Sequence, residues 1–192
     1  MKKKMLIFMA GLMLVSMTAT ACGAANGTGD AGEEQTKAPA NDPAIDELYT
    51  AVKNAYGENY LPAMQLTPED VEMRYGIAKD KYEAVIADIP MMSAHVDEFV
   101  LVRVTDEAAR AEVEQALTDY QNRLKEDTMQ YPANQLKIQA SEVYTAGNYV
   151  SFLMLGVIDN ETQQQEESKV IEAYRAENEK AIAAMDALFY GE

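Results

Sequence analysis

Apolar residues recur every three or four positions in four stretches of the chain, a spacing typical of helices with one buried face. The first two stretches follow Asp42-Pro43 and Thr67-Pro68, pairs typical of an N-cap and the first helical turn. In the second stretch, Asp70 stands three residues after Thr67 and can complete a capping box. The predicted helices cover about residues 43–55, 67–75, 105–127 and 162–189.

Four other stretches have the shorter period of β-strands. The last two are joined by Ala146-Gly147-Asn148, which contains the glycine that a tight hairpin favours. Both faces of the final strand are apolar, so we expect it to lie centrally and to be more covered than its partner. The predicted strands cover residues 82–89, 98–104, 137–145 and 149–157.

The order of these elements predicts an α+β domain over residues 42–192. Two N-terminal helices are followed twice by strand, strand and helix, without the regular alternation of a parallel sheet. We therefore expect an antiparallel sheet of about four strands with helices packed on one face, in a single domain that ends in a long helix.

The first 22 residues have the pattern of a lipoprotein signal peptide. Three lysines precede an apolar run, Met5–Met17, that is too short for a spanning helix. Small residues then precede Cys22, the only cysteine of the chain. We expect a signal peptide at residues 1–21 and a diacylglyceryl anchor on Cys22 at the outer, extracytoplasmic face of the cell membrane. The alternative is an ordinary cleaved signal followed by a chance cysteine.

Composition restricts the remaining possibilities. Residues 22–41 lack aromatic and large aliphatic side chains and are predicted to form a flexible linker. The chain has 32 acidic and 16 basic residues and a net charge of −16. This charge disfavours binding to nucleic acid and electrostatic docking on anionic lipids. A single cysteine excludes an intramolecular disulfide.

No motif in the sequence specifies a reaction. The glycine spacings of nucleotide-binding loops are absent, as is a nucleophile elbow. One histidine and one cysteine cannot build a zinc site. We therefore predict no catalytic residue, metal ligand or cofactor. His95 lies close to Ser93, but it is more typical of a polar residue that enters the second strand.

Two groups of residues are candidates for contact with a partner. Met91-Met92 is an adaptable apolar pair that fills a core gap or meets a partner. Polar and aromatic residues at the predicted hairpin form a candidate contact surface. That surface consists of Tyr144, Gly147, Asn148 and Tyr149.

Several stretches together resemble a bacterial lipoprotein family known as domain of unknown function 4358. The similarity runs from about Asp42 to Ile158 and ends before the final helix. It is clearest at the Ala94-x-x-x-Glu98-Phe99 strand entry, at Tyr131-Pro132 and at the hairpin Gly147–Val150. The resemblance implies a surface lipoprotein of a Gram-positive bacterium, and it implies no assigned activity, cofactor or catalytic residue.

Two hypotheses about function follow. The first is a lipid-anchored, non-enzymatic binding or interaction module that binds an envelope protein or a small ligand through its sheet or hairpin. The second is a cell-wall-directed hydrolase that uses Asp and Glu side chains, which requires two carboxyl groups facing each other in a pocket. A substrate-binding protein of an importer usually has two lobes, and this chain is too short for them.

Overall fold

The computed structural model describes residues 38–92 and 94–191. They form a sheet of five strands in the order β1-β2-β3-β5-β4, and every neighbouring pair is antiparallel. The strands are β1 (Met64–Gln65), β2 (Tyr82–Ile89), β3 (Glu98–Val104), β4 (Glu142–Ala146) and β5 (Tyr149–Met154). The helices are α1 (Ile45–Tyr56), α2 (Pro68–Tyr75), α3 (Glu107–Glu126), α4 (Pro132–Gln139) and α5 (Glu167–Tyr190).

The α+β class and the antiparallel sheet are confirmed. The sheet has five strands instead of the predicted four, because the short β1 was not predicted. The predicted placement of helices on one face needs correction, because α2, α3 and α4 cover one face while α1 and α5 cover the other. Strand β3 gives the reason. Val100 and Val102 belong to the first core, whereas Phe99 and Leu101 belong to the second. Two apolar faces require two layers of helices.

The predicted start is confirmed for α2 and is wrong for α1. The Thr67 hydroxyl accepts a hydrogen bond from the Asp70 N–H at 3.2 Å, which confirms the predicted capping box. Helix α1 begins at Ile45 instead of Pro43. The Asp42 carboxylate is paired with Arg103 at 2.6 Å instead of capping the helix.

The prediction of a strand over 137–145 was wrong in its first part. Residues Pro132–Gln139 form α4, with the proline in the first turn, where its missing N–H is not needed. Strand β4 begins only at Glu142. The last helix also starts later than predicted, at Glu167, after a short 3₁₀ turn over Thr162–Gln164.

The predicted hairpin is confirmed. Strands β4 and β5 are joined by Gly147-Asn148, and Gly147 has a φ of +54°, which glycine adopts without strain. Every residue of β5 is buried, whereas β4 is mostly half-buried, as expected. The chain enters the domain at this end of the sheet, where the N–H groups of Ala40 and Asn41 both donate to the Phe189 carbonyl.

The predicted signal peptide, Cys22 and residues 22–37 of the predicted linker lie outside the described residues. Within the described part of the chain, helices with the length and apolar character needed to cross a membrane were not found.

Candidate functional site

A pocket of about 370 Å³ opens at the end of the sheet opposite the hairpin, where β2 ends, β3 begins and β5 ends. Its apolar lining includes Ile89, Leu124 and Met154, and its polar lining includes Arg74 and Glu98. Two further methionines and the only histidine of the chain complete the mouth: Met91, Met92 and His95. We call this site the methionine pocket.

The polar floor of the methionine pocket is organised around Glu98, which is 1% exposed. Arg74 donates two hydrogen bonds to the two carboxylate oxygens, through Nε and Nη2, each at 3.1 Å. The hydroxyl of Tyr120 donates at 2.9 Å, and that of Tyr75 also donates. Four donors therefore satisfy one carboxylate, which is the condition for burying a charge without a large penalty.

The protonation states in this cluster are fixed by burial and by the charge of Glu98. Burial, and then the negative charge of Glu98, raise the pKa of Tyr75 and of Tyr120 above the ordinary phenol value. Burial is the largest single influence and acts to lower the pKa of Arg74. The hydrogen bonds to Glu98 and the negative charge of Glu98 together outweigh burial, so the pKa is raised. Both phenols thus stay neutral donors and Arg74 stays cationic at physiological pH.

Methionines dominate the exposed apolar surface of the described residues. Five of the seven large hydrophobic side chains that are exposed there are methionines. Met91 and Met92 line the pocket itself and are 77% and 61% exposed. The other three each adjoin a lining residue, along the chain or across the sheet: Met64, Met73 and Met129.

A tight turn holds the mouth of the pocket together. The His95 N–H donates to the Met92 carbonyl at 3.1 Å. The side chain of Asn134, on α4, donates to the Ala94 carbonyl at 3.0 Å and ties the turn to the domain. Met91 and Met92 are exposed, so they do not fill a gap in the core, and contact with a partner stays a prediction. His95 is exposed and lies just ahead of β3, the second of the predicted strands, as its sequence position indicated.

The predicted contact surface at the hairpin is arranged differently. Tyr149 is 1% exposed, and its hydroxyl donates to the Pro43 carbonyl at 2.6 Å. The Tyr144 hydroxyl donates to Asp186 on α5. Gly147 lies against Pro39, while Asn148 is exposed. The structure does not bring these four residues together on one exposed surface, and a binding role for the hairpin stays a prediction.

Two other buried carboxylates are also occupied by donors. Asp97 pairs with Lys137 at 2.5 Å, and the same ammonium donates to the Gly156 carbonyl at 2.6 Å. Burial raises the pKa of Asp97 in spite of this pairing, and burial lowers the pKa of Lys137. Asp88 accepts hydrogen bonds from the hydroxyls of Tyr49 and Tyr60, at 2.6 Å and 2.9 Å.

The described residues give little support to the hydrolase alternative. Among them, Glu98 is the one carboxylate that lines the methionine pocket, and its oxygens are already bonded. In the same part of the chain, no group of three or more His, Cys, Asp and Glu residues is placed to hold a metal ion. The paired carboxyl groups of a glycosidase are therefore not found in this pocket.

Comparison with known proteins places the chain in a family. The family described as Domain of unknown function (DUF4358) matches residues 55–155. This is more than half of the chain, so the protein belongs to that family, as the resemblance in the sequence indicated. No curated protein and no solved structure matches. The matched range contains the sheet, α2, α3, α4 and the whole methionine pocket, whereas α5 lies outside it.

Proposed function

We propose that this protein is a lipid-anchored, non-enzymatic binding module at the extracytoplasmic face of the membrane, with the methionine pocket as its binding site. The observation that carries the proposal is that two exposed methionines, Met91 and Met92, line one pocket with a bonded polar floor. Methionine is more often used to fill a core, and its unbranched thioether adapts to varied ligands. Grouped exposure of apolar side chains is typical of interaction sites.

The location is proposed from the signal pattern and from Cys22. Incorporation of a labelled fatty acid tests it directly. The unaltered protein should incorporate the label and sediment with membranes, and a Cys22→Ala variant should do neither. A Cys22→Ala protein that retains the label would contradict the proposed anchor.

The binding site is tested with the exposed methionines as probes, because thioethers are oxidised to sulfoxides by peroxide according to their accessibility. Intact cells and purified protein are treated with the same peroxide dose, and sulfoxide is measured at each methionine by mass spectrometry. We expect Met91 and Met92 to be protected in cells. Met129, which is 90% exposed and does not line the pocket, serves as the internal reference.

Equal oxidation of all three methionines in cells and in solution would contradict the pocket as the binding site. Protection of Met129 alone would place the binding surface elsewhere. The measurement does not depend on the nature of the ligand, since a protein, a small molecule or an ion that covers the thioethers protects them equally.

A further inference from the structure

We propose that the methionine pocket binds one Cu(I) ion through the thioethers of Met91, Met92 and Met154 and the imidazole of His95. This inference rests on the proposed function, because it names the chemical class of the ligand for the same pocket. All four side chains line a single cavity and come from two places in the fold, the end of β5 and the turn before β3. Neutral soft donors of this kind select Cu(I) among the biological metals.

The donor set distinguishes Cu(I) from the commoner metals. Structural zinc sites need four ligands drawn from thiolate, imidazole and carboxylate, and this pocket offers one imidazole and one carboxylate. Calcium and magnesium require several oxygen ligands. The Glu98 oxygens already accept four hydrogen bonds, so they are not free to bind a hard cation.

The electrostatics of the pocket are compatible with a bound cation. Arg74 is cationic, but its two-pronged bonding to Glu98 makes the pair neutral overall. The acidic chain, with a net charge of −16, favours cations in general.

The local backbone keeps the donors close while leaving the side chains adjustable. The hydrogen bond from the His95 N–H to the Met92 carbonyl closes a turn, so these two residues stay close together. Met91 and Met92 are exposed, and their flexible side chains can fold inward over an ion at little cost. Met154 is 2% exposed and supplies a donor from the wall of the pocket.

The test uses residues 22–192, the chain expected after removal of the predicted signal peptide, with Cys22→Ala. Neither the thiol nor the five methionines of residues 1–21 then compete for soft metals. Methionine methyl groups are labelled with ¹³C, and their NMR signals are followed during anaerobic titration with Ag(I), which has the same closed d-shell as Cu(I) and is not oxidised. We expect saturation near one equivalent. The signals of Met91, Met92 and Met154 should shift, and that of Met129 should not.

A pair of matched double variants measures affinity for Cu(I) against a colorimetric chelator. Met91→Leu with Met92→Leu keeps the apolar volume and removes two sulfurs, and we expect affinity to fall at least about 10-fold. Met64→Leu with Met73→Leu removes two exposed sulfurs outside the pocket and should retain the affinity of the background protein. A His95→Gln variant should also bind more weakly.

Equal affinities in the two double variants, or methyl shifts confined to methionines outside the pocket, would overturn the Cu(I) site. The proposed function is judged separately by the peroxide measurement in cells. Protection of Met91 and Met92 without Ag(I) binding would mean that the pocket binds a ligand other than a soft cation. Absence of protection would count against the proposed function.

Discussion

Glu98 shows how much of this structure depends on single polar side chains. Its carboxylate joins Arg74 and Tyr75 of α2 to Tyr120 of α3, and it stands at the first position of β3. Nothing in the sequence marks this cluster, because its members are distant along the chain and ordinary in type. Only the packing of α2 and α3 on the same face of the sheet brings them together.

Replacement of this carboxylate tests that dependence. Glu98→Gln keeps the shape but leaves one oxygen to accept bonds from Arg74 and two phenols, and it places an amide donor against them. We expect the free energy of unfolding to fall by about 1–3 kcal/mol, the usual cost of leaving buried hydrogen-bond donors without an acceptor. The loss is no larger because the Arg74 side chain is 39% exposed and can be hydrated. Urea unfolding measures this loss of free energy. Glu72→Gln, an exposed carboxyl on α2, should change stability by no more than about 0.5 kcal/mol, and equal losses would contradict the argument.

The buried pair of Asp97 and Lys137 leads to a second prediction, a loss of stability whose size depends on pH. Lys137→Met leaves a buried carboxylate without its cation and should cost about 3–5 kcal/mol near neutral pH. Adding Asp97→Asn removes the unpaired charge, so the double variant should be more stable than Lys137→Met alone. A double variant that is less stable than either single variant would contradict this interpretation.

The sign of the pH effect follows from the direction of the shift. Burial raises the pKa of Asp97 above its ordinary value of 3.8, and Lys137 opposes that rise. Without Lys137, the pKa rises further, and the folded state holds the proton more tightly than the unfolded state. The stability that this raised pKa of Asp97 contributes is fully present below pH 3.8. It is lost as the pH rises through the pKa of Asp97 in the folded state. The stability deficit of Lys137→Met should therefore shrink on acidification, as measured by unfolding at a series of pH values.

At the scale of elements, local signals predicted local structure and failed where a long-range partner decided the outcome. The capping box of α2 and the hairpin turn at Gly147 depend on neighbouring residues, and both are confirmed. Helix α4 was missed because its buried face includes Lys137, a residue that a hydrophobic pattern counts as polar. The second helical layer was missed because an amphipathic pattern shows that a helix has an apolar face, but does not show which sheet face it covers.

Contact between β5 and α5 supplies a test at this scale. Gly156, directly after β5, has a φ of +92°, and an added Cβ would lie 2.4 Å from Cβ of Glu177 on α5. Gly156→Ala should destabilise the protein by about 2–4 kcal/mol, from backbone strain and from the clash. Gly76→Ala has a left-handed backbone but open space around it, and it should cost only about 1–2 kcal/mol. Thermal unfolding compares the two, and equal losses would rule out the steric contribution.

The whole molecule extends beyond the part that the family match covers. The match begins near the end of α1 and stops before α5, the two helices that cover the second face of the sheet. Without them, the strands would expose the apolar side chains of that face, including Phe99, Leu101 and Leu153. Exposed apolar patches of this kind favour aggregation.

A fragment limited to residues 55–158 should therefore fail to fold as a monomer. We expect broad, non-cooperative thermal unfolding and elution as aggregates in size-exclusion chromatography. The full chain with its second layer should elute as a discrete species and unfold cooperatively. Cooperative unfolding of a monomeric fragment would show that α1 and α5 are not needed to complete the domain.

The point where the chain enters the domain has a consequence for access. Ala40 and Asn41 are bonded to the last turn of α5 beside the hairpin, whereas Glu98 lies at the far end of β3, about 20 Å away at the rise of an extended strand. A ligand can therefore enter the methionine pocket without passing the chain entry at Ala40 and Asn41, whereas Asn148 lies beside that entry.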